Sequence, residues 1–196
     1  MPAKHAIAAE DILPVADYAA QRTEWRARIG LAKRLRRLDV GPYVTFYFEN
    51  WQTMWLQVQE MLHIERGGAE QLADELAAYN PLVPNGHELV ATFMIEIDDA
   101  ARRKRVLGAM GGIEESVFLE IAGETVHGVP ETDQDRTTAE GKASSVQFVH
   151  FPLSPAQITA FRGAGARVVL GLTHPSYSHR TVLPEPIRLA LADDFD

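Results

Sequence analysis

Cysteine is absent from the 196-residue chain. That removes disulfides, thiol nucleophiles, iron–sulfur ligation and Cys-based zinc sites together, and leaves His, Asp and Glu as the strong metal ligands. Long apolar runs are missing as well. None approaches the ~20 residues that a bilayer-spanning helix needs, and the longest, around Leu89–Ile95, has the length of a buried strand. Ala6–Ala9 is too short for the apolar region of a signal peptide and runs into Glu10 and Asp11. The expectation is a cytoplasmic protein with no membrane partner. An excess of positive charge is also lacking: 19 Lys and Arg against 27 Asp and Glu give a formal charge of −8, the wrong sign for bulk nucleic-acid binding, and no nucleic-acid motif is present. There is no Gly-x-Ser-x-Gly elbow, no Walker loop and no Gly-x-Gly-x-x-Gly following a strand. Gly163-Ala164-Gly165 reads as a helix stop. No catalytic residue is assigned.

What is present suits an ordinary globular domain: 46% hydrophobic and 23% charged residues. A chain of this mass buries about 70% of its extended surface, enough for a core without staples. The expectation is one domain over residues 1–196, α+β in class, with N-terminal helices packed on a largely antiparallel sheet formed mostly by the C-terminal half. The helical part covers about 15–79 and the mostly β part about 88–191.

Residues 15–38 carry the longest helical pattern, with Tyr18, Trp25, Ile29 and Ala32 on one face, and Gly41-Pro42 stops it. Residues 43–48 read as a strand. Asn50 caps a helix over 51–66 whose stripe is Trp51, Met54, Trp55, Val58, Met61 and Leu62. A third helix over 69–79 ends at Asn80-Pro81. Strands follow at 89–97, 145–151 and 167–172, a charged helix at 99–110, and a hairpin of 116–122 and 125–129 about Gly123-Glu124. The polar stretch 130–144 reads as a surface loop and as the segment that moves most. Ser154-Pro155-Ala156-Gln157 is a capping box opening a helix to about 163, and 187–191 reads as a further strand.

Three constellations carry chemistry. Glu60 and His63 have the Glu-x-x-His spacing of di-iron carboxylate bundles, in which i and i+3 side chains converge on one ion. No second such motif is present, so the alternatives are a mononuclear site and a solvated Glu–His pair. His174 and His179 flank Pro175, which interrupts a regular strand and lets two imidazoles turn toward one zinc or iron ion, with Glu49, Glu60 or Glu88 as third ligand. The competing reading is a plain surface loop. His150 reads as a satisfied buried imidazole. The third constellation is charge: residues 22–37 hold seven basic residues and one acid, residues 49–99 ten acids and one Arg. Arg22, Arg26, Lys33 and Arg37 share a stripe of the first helix. They either neutralise the acidic region, within the fold or across a dimer, or form an anion site.

Several runs spread over most of the chain resemble a bacterial family filed as domain of unknown function 3501. They include Asp11-Ile-Leu-Pro14 with Tyr18 and Arg22, Val40-Gly-Pro42, Phe48-Glu49-Asn50, Gln59-Glu60-Met61, Tyr79-Asn-Pro-Leu82, and His174-Pro175 with Tyr177. The resemblance implies no established activity. It implies an accessory role beside redox partners of the rubrerythrin-like and iron–sulfur kinds in peroxide defence. The favoured expectation is accordingly a non-catalytic accessory or ligand-binding protein, a homo-oligomer with a redox protein partner. A His/carboxylate metalloprotein and an anion-binding module on helix 22–37 are the alternatives.

Overall fold

The structure, a computed structural model, describes residues 4–131, 137–138 and 141–196. Its organising element is an antiparallel five-stranded sheet in the order β1-β2-β3-β7-β6, built from β1 (Arg37–Val40), β2 (Val44–Glu49), β3 (Glu88–Ile95), β6 (Val129–Pro130) and β7 (Val146–Pro152). The second sheet has four antiparallel strands in the order β5-β4-β8-β9: β4 (Val117–Ile121), β5 (Glu124–His127), β8 (Val168–His174) and β9 (Tyr177–Val182). The class is α+β. The strands divide between two sheets, and three strands of the larger one come from residues 37–95.

Alternation along the strands decides what each face meets. Phe46, Phe48, Leu89, Ala91, Phe93, Ile95, Val149 and Phe151 turn to one side and join Val117, Leu119, Leu170 and Leu172 of the second sheet in one core. Val90 and Phe148 turn to the other side and meet the helical layer of α1 (Val15–Lys33), α2 (Trp51–Glu65) and α3 (Gly68–Tyr79). Here Ile29, Trp55, Val58, Leu62 and Leu82 supply the apolar surface. The larger sheet is thus the middle layer. Two shorter helices, α5 (Pro155–Arg162) and α6 (Glu185–Ala192), close the sandwich core with Ile158, Phe161, Ile187 and Leu191. The charged helix α4 (Ala100–Gly108) adds Leu107 to it.

Local chemistry fixes the ends. Asn50 caps α2, its Oδ1 accepting from Thr53 N at 3.0 Å while Thr53 Oγ1 accepts from Asn50 N at 2.9 Å. Ser154 caps α5 with Gln157 answering it. Four expectations from the sequence are corrected. The helix of 15–38 ends at Lys33. After a tight turn at Arg34–Arg36 the chain enters β1, where Leu38 and Val40 are buried and Arg37 and Asp39 exposed, a period of two that pairing with β2 reinforces. The hairpin loop is Ala122-Gly123, one residue earlier than Gly123-Glu124, with φ of 51° and 86° and Ile121 paired to Glu124. His174 to His179 is no irregular loop: Pro175 and Ser176 make a tight turn, and His174 pairs with Tyr177 as β9 begins. The tail is helix α6 rather than a strand. Pro186 sits in its first turn, and Ile187 and Leu191, four apart, are buried on one face. Within 130–144, Thr137 bridges to Ala143, and residues 132–136 and 139–140 lie outside the described residues.

Tyr177 joins the two sheets. Its hydroxyl accepts from Tyr43 N at 2.9 Å and Val44 N at 3.1 Å and donates to Val40 O at 2.8 Å. Gly41 makes room for it: φ is 73°, and a Cβ there would lie 2.6 Å from the Tyr177 hydroxyl and from the His179 ring.

Candidate binding site

The α1–α2 contact absorbs the first metal candidate. Tyr18 lies edge-on to Trp55 and Trp25 packs on Trp55 at 4.6 Å between ring centroids. Beside them, Glu60 Oε1 accepts from the Tyr18 hydroxyl at 2.5 Å and from Arg22 Nε at 2.8 Å, and Oε2 accepts from Arg22 Nη2 at 2.8 Å. This fork holds the Glu60 carboxyl down at about 2, chiefly through the Arg22 hydrogen bonds. Burial first, and then the bond to Glu60, push the Tyr18 hydroxyl above its ordinary value. His63 stands edge-on to Tyr18 at 5.9 Å, its buried Nδ1 without a hydrogen-bond partner among the described residues. Glu60 and His63 do adjoin one tyrosine, but both oxygens of Glu60 are engaged, and a cation would have to displace Arg22.

His174 and His179 lie on one hairpin, occupied differently. His174 Nε2 is 3.1 Å from Gly111 O, and Nδ1 accepts from Ser176 N at 3.1 Å, so both ring nitrogens are engaged. His179 is exposed and packs on the Tyr177 ring at 4.5 Å. His150 is held between two carboxylates, with Nδ1 3.0 Å from Glu88 and Nε2 2.7 Å from Glu131. Burial opposes its charging, but the bonds and charges of Glu88 and Glu131 outweigh burial and raise its pKa. Glu49, the other suggested third ligand, lies near none of these imidazoles through any hydrogen bond and instead accepts from Thr53 Oγ1 at 2.5 Å and Thr92 Oγ1 at 2.8 Å. Among the described residues no group of three or more His, Asp or Glu side chains is disposed to hold a metal ion.

The basic stripe splits in two. Arg22 is committed to Glu60, and the charge of exposed Arg26 adds to the same acid. Lys33 and Arg37, with Arg34, instead line a cavity of 530 Å³ between the helices and the outer face of the larger sheet. That volume is in the range of small-molecule sites. Its walls are apolar: Met54 on α2, Leu82 after α3, Met94 on β3, and Val146 and Phe148 on β7. Tyr47, Tyr79 and Gln57 supply polar edges, Gln57 Nε2 lying 3.3 Å from the Tyr79 hydroxyl. Glu49 and Thr92 sit buried on the sheet side, whereas Arg34 and Arg37 are exposed and Lys33 half-buried. Charge is therefore separated across the cavity, carboxyl within and cations without. Arg37 pairs with Asp39 at 2.9 Å. Lys33 and Arg34 have no ion pair among the described residues.

Gly30 lines the same cavity from the last turn of α1. A glycine inside a helix costs about 1 kcal/mol relative to alanine, and packing does not require this one: a Cβ built there has nothing within 4 Å. Sequence reasoning passed over Gly30, Arg34, Tyr47, Gln57 and Tyr79. The glycine left a legible signal, a helix-weakening residue just ahead of a basic turn. Arg34 was visible only as one charge of the basic segment and Tyr79 only as part of a family-like run. Tyr47 and Gln57 had no signal in the pattern, because the convergence of all four depends on how three helices cross a sheet.

Among the described residues no helix is long and apolar enough to cross a membrane. A comparison with curated proteins finds no match. Among solved structures, a protein described as a novel protein of unknown function from Burkholderia pseudomallei K96243 is similar, with 32% sequence identity, a TM-score of 0.90, and coverage of 97% of this chain and 100% of that one. The family described as "Protein of unknown function (DUF3501)" matches residues 6–195. The likeness noted in the sequence therefore extends over nearly the whole chain, and the chain belongs to the DUF3501 family.

Proposed function

We propose that the protein is a non-catalytic binding protein for a small amphipathic organic anion, seated in the cavity between α1–α3 and the larger sheet. The observation that carries this reading is the combination in one 530 Å³ cavity of apolar walls with two cations, Lys33 and Arg34, that no carboxylate neutralises among the described residues. Apolar walls supply most of the affinity of such a site, and a few placed charges supply orientation. The open Gly30 position agrees with a mouth kept clear. Of the alternatives read from the sequence, the anion site is kept in altered form, moved from the Arg22–Arg26 end of the helix to the Lys33–Arg37 end. The family resemblance adds a setting: a protein that delivers or senses a small organic acid beside redox partners.

The test is thermal and calorimetric titration with 4-ethylbenzoate and its uncharged analogue 4-ethylbenzamide. A ligand that binds only the folded chain raises its stability by about 2.7 kcal/mol at a hundredfold excess over Kd. The benzoate is expected to stabilise the protein and the benzamide to do so far less. Gly30→Leu, a good helix former placed in open space, is expected to abolish the effect while the protein stays folded. No stabilisation by the benzoate, or undiminished binding in Gly30→Leu, would overturn the reading.

A further inference from the structure

The cavity wall holds a feature that an anion alone leaves unexplained. Glu49 is 6% exposed, lines the cavity, and has no cation within ion-pair distance among the described residues. Its oxygens accept from two hydroxyls, Thr53 at 2.5 Å and Thr92 at 2.8 Å. The nearest buried guanidinium, that of Arg36, is spent elsewhere: it donates to the backbone carbonyls of Phe48 and Glu49, each at 2.9 Å, and to Asp194. Burying a carboxylate that lacks a cation is costly, and hydroxyl donors offset only part of the cost. Two hydroxyls also leave acceptor positions of the carboxyl unused, since its oxygens can take about four bonds.

We infer that the ligand is a zwitterion with its charges at opposite ends, an amino-carboxylate whose ammonium group meets Glu49 at the inner wall and whose anionic group meets Lys33 and Arg34 at the mouth. This rests on the cavity being the binding site and names the ligand class it takes. The two ends of the ligand match the two signs of charge in the order that the fold presents them. The apolar walls between, Met54, Met94 and Phe148, suit an aromatic or aliphatic spacer. A simple carboxylate fills the spacer and mouth but leaves Glu49 unpaired. A simple amine leaves the cations unpaired and faces their repulsion on the way in.

The test compares 4-(aminomethyl)benzoate with 4-ethylbenzoate, which differ in one group, ammonium against methyl, at the end distant from the carboxylate. On the wild-type chain the aminomethyl compound is expected to bind at least tenfold tighter. Glu49→Gln keeps the size of the side chain and can still bond both threonines. It is expected to abolish that preference, because the ammonium then meets a neutral amide, while 4-ethylbenzoate, whose apolar wall contacts are untouched, still binds. Equal or tighter binding of 4-ethylbenzoate by the wild-type chain overturns the zwitterion and leaves the anion site standing. A preference for the aminomethyl compound that persists in Glu49→Gln also overturns it. Should neither compound bind, both the zwitterion and the anion site are lost. The wild-type comparison stands even if Glu49→Gln does not fold.

Discussion

The two faces of the larger sheet are built from the same strands and hold different things. Along β3, Leu89, Ala91 and Phe93 are fully buried against the second sheet, and Phe93 stacks on Phe46 at 5.0 Å. The alternate residues, Val90, Thr92 and Met94, face helices, and here the sheet also presents Glu49, Tyr47 and His150. Sheet packed on sheet gives a dry, interdigitated layer. Cylindrical helices on a sheet touch it along lines, and where α1, α2 and α3 diverge they leave a space that polar side chains can enter. Both faces carry buried apolar residues, but the open cavity lies on the helical face alone, so the consequence of a substitution depends on the parity of its position and on whether it lines that cavity.

That contrast can be broken most forcefully at neighbouring residues of β3. Phe93→Ala, on the sandwich side, is expected to cost about 3–5 kcal/mol in urea unfolding, as deletion of a buried aromatic ring leaves a cavity. Met94→Ala, on the cavity wall, enlarges a space that is already there and is expected to cost under about 1.5 kcal/mol while weakening 4-ethylbenzoate binding. Comparable losses at the two positions would mean that the helical face is as tightly packed as the other.

The seam between the layers comes next. Arg36, just after α1, binds the carbonyl ends of β2 and pairs with Asp194 beyond α6, both side chains over nine-tenths buried. Asp194→Ala strands a buried guanidinium and is expected to cost about 3 kcal/mol by chemical denaturation. A loss below about 1 kcal/mol would show that Arg36 is held by carbonyls alone.

The smallest effect is a pH dependence on the helical side. Folding raises the pKa of His150. Its stabilising contribution is therefore complete below the unfolded value, about 6.5, and is lost as pH rises through the folded value. Folding free energy measured from about pH 6 upward should decline, and His150→Gln should flatten the decline. His5, whose pKa is raised chiefly by its bond to the Pro84 carbonyl and next by Asp196, acts in the same direction; His5→Gln should remove what remains. An unchanged slope in both variants would place the titration elsewhere.

Much of the fold could be read locally. The α2 cap at Asn50, the capping box at Ser154 and the alternation in 43–48 and 145–151 each depend on a few adjacent residues, and each reappears. Three of the four errors share a cause. Residues 34–40, 177–182 and 187–191 are short segments whose hydrophobic pattern fits more than one period, so the partner decides: β2 draws 37–40 into a strand, β8 draws 177–182, and the apolar back of the sandwich takes 187–191 as a helix.

At the site, the sequence determined the inventory: no thiol, a concentration of arginine and lysine over 22–37, and one Glu-x-x-His. Tertiary structure decided the assignments. Arg22 and Glu60 meet because α1 and α2 pack side by side, and their bidentate bond consumes the acid that spacing alone offers to a metal. Lys33 and Arg34, a few turns on, line the cavity instead, with no acid paired to them among the described residues. Whether a charge is neutralised or left for a ligand depends on what stands across from it within a few ångströms, because Coulomb attraction and hydrogen bonding act over that distance. Local sequence carries the charge, and only the packing of distant segments supplies the neighbour.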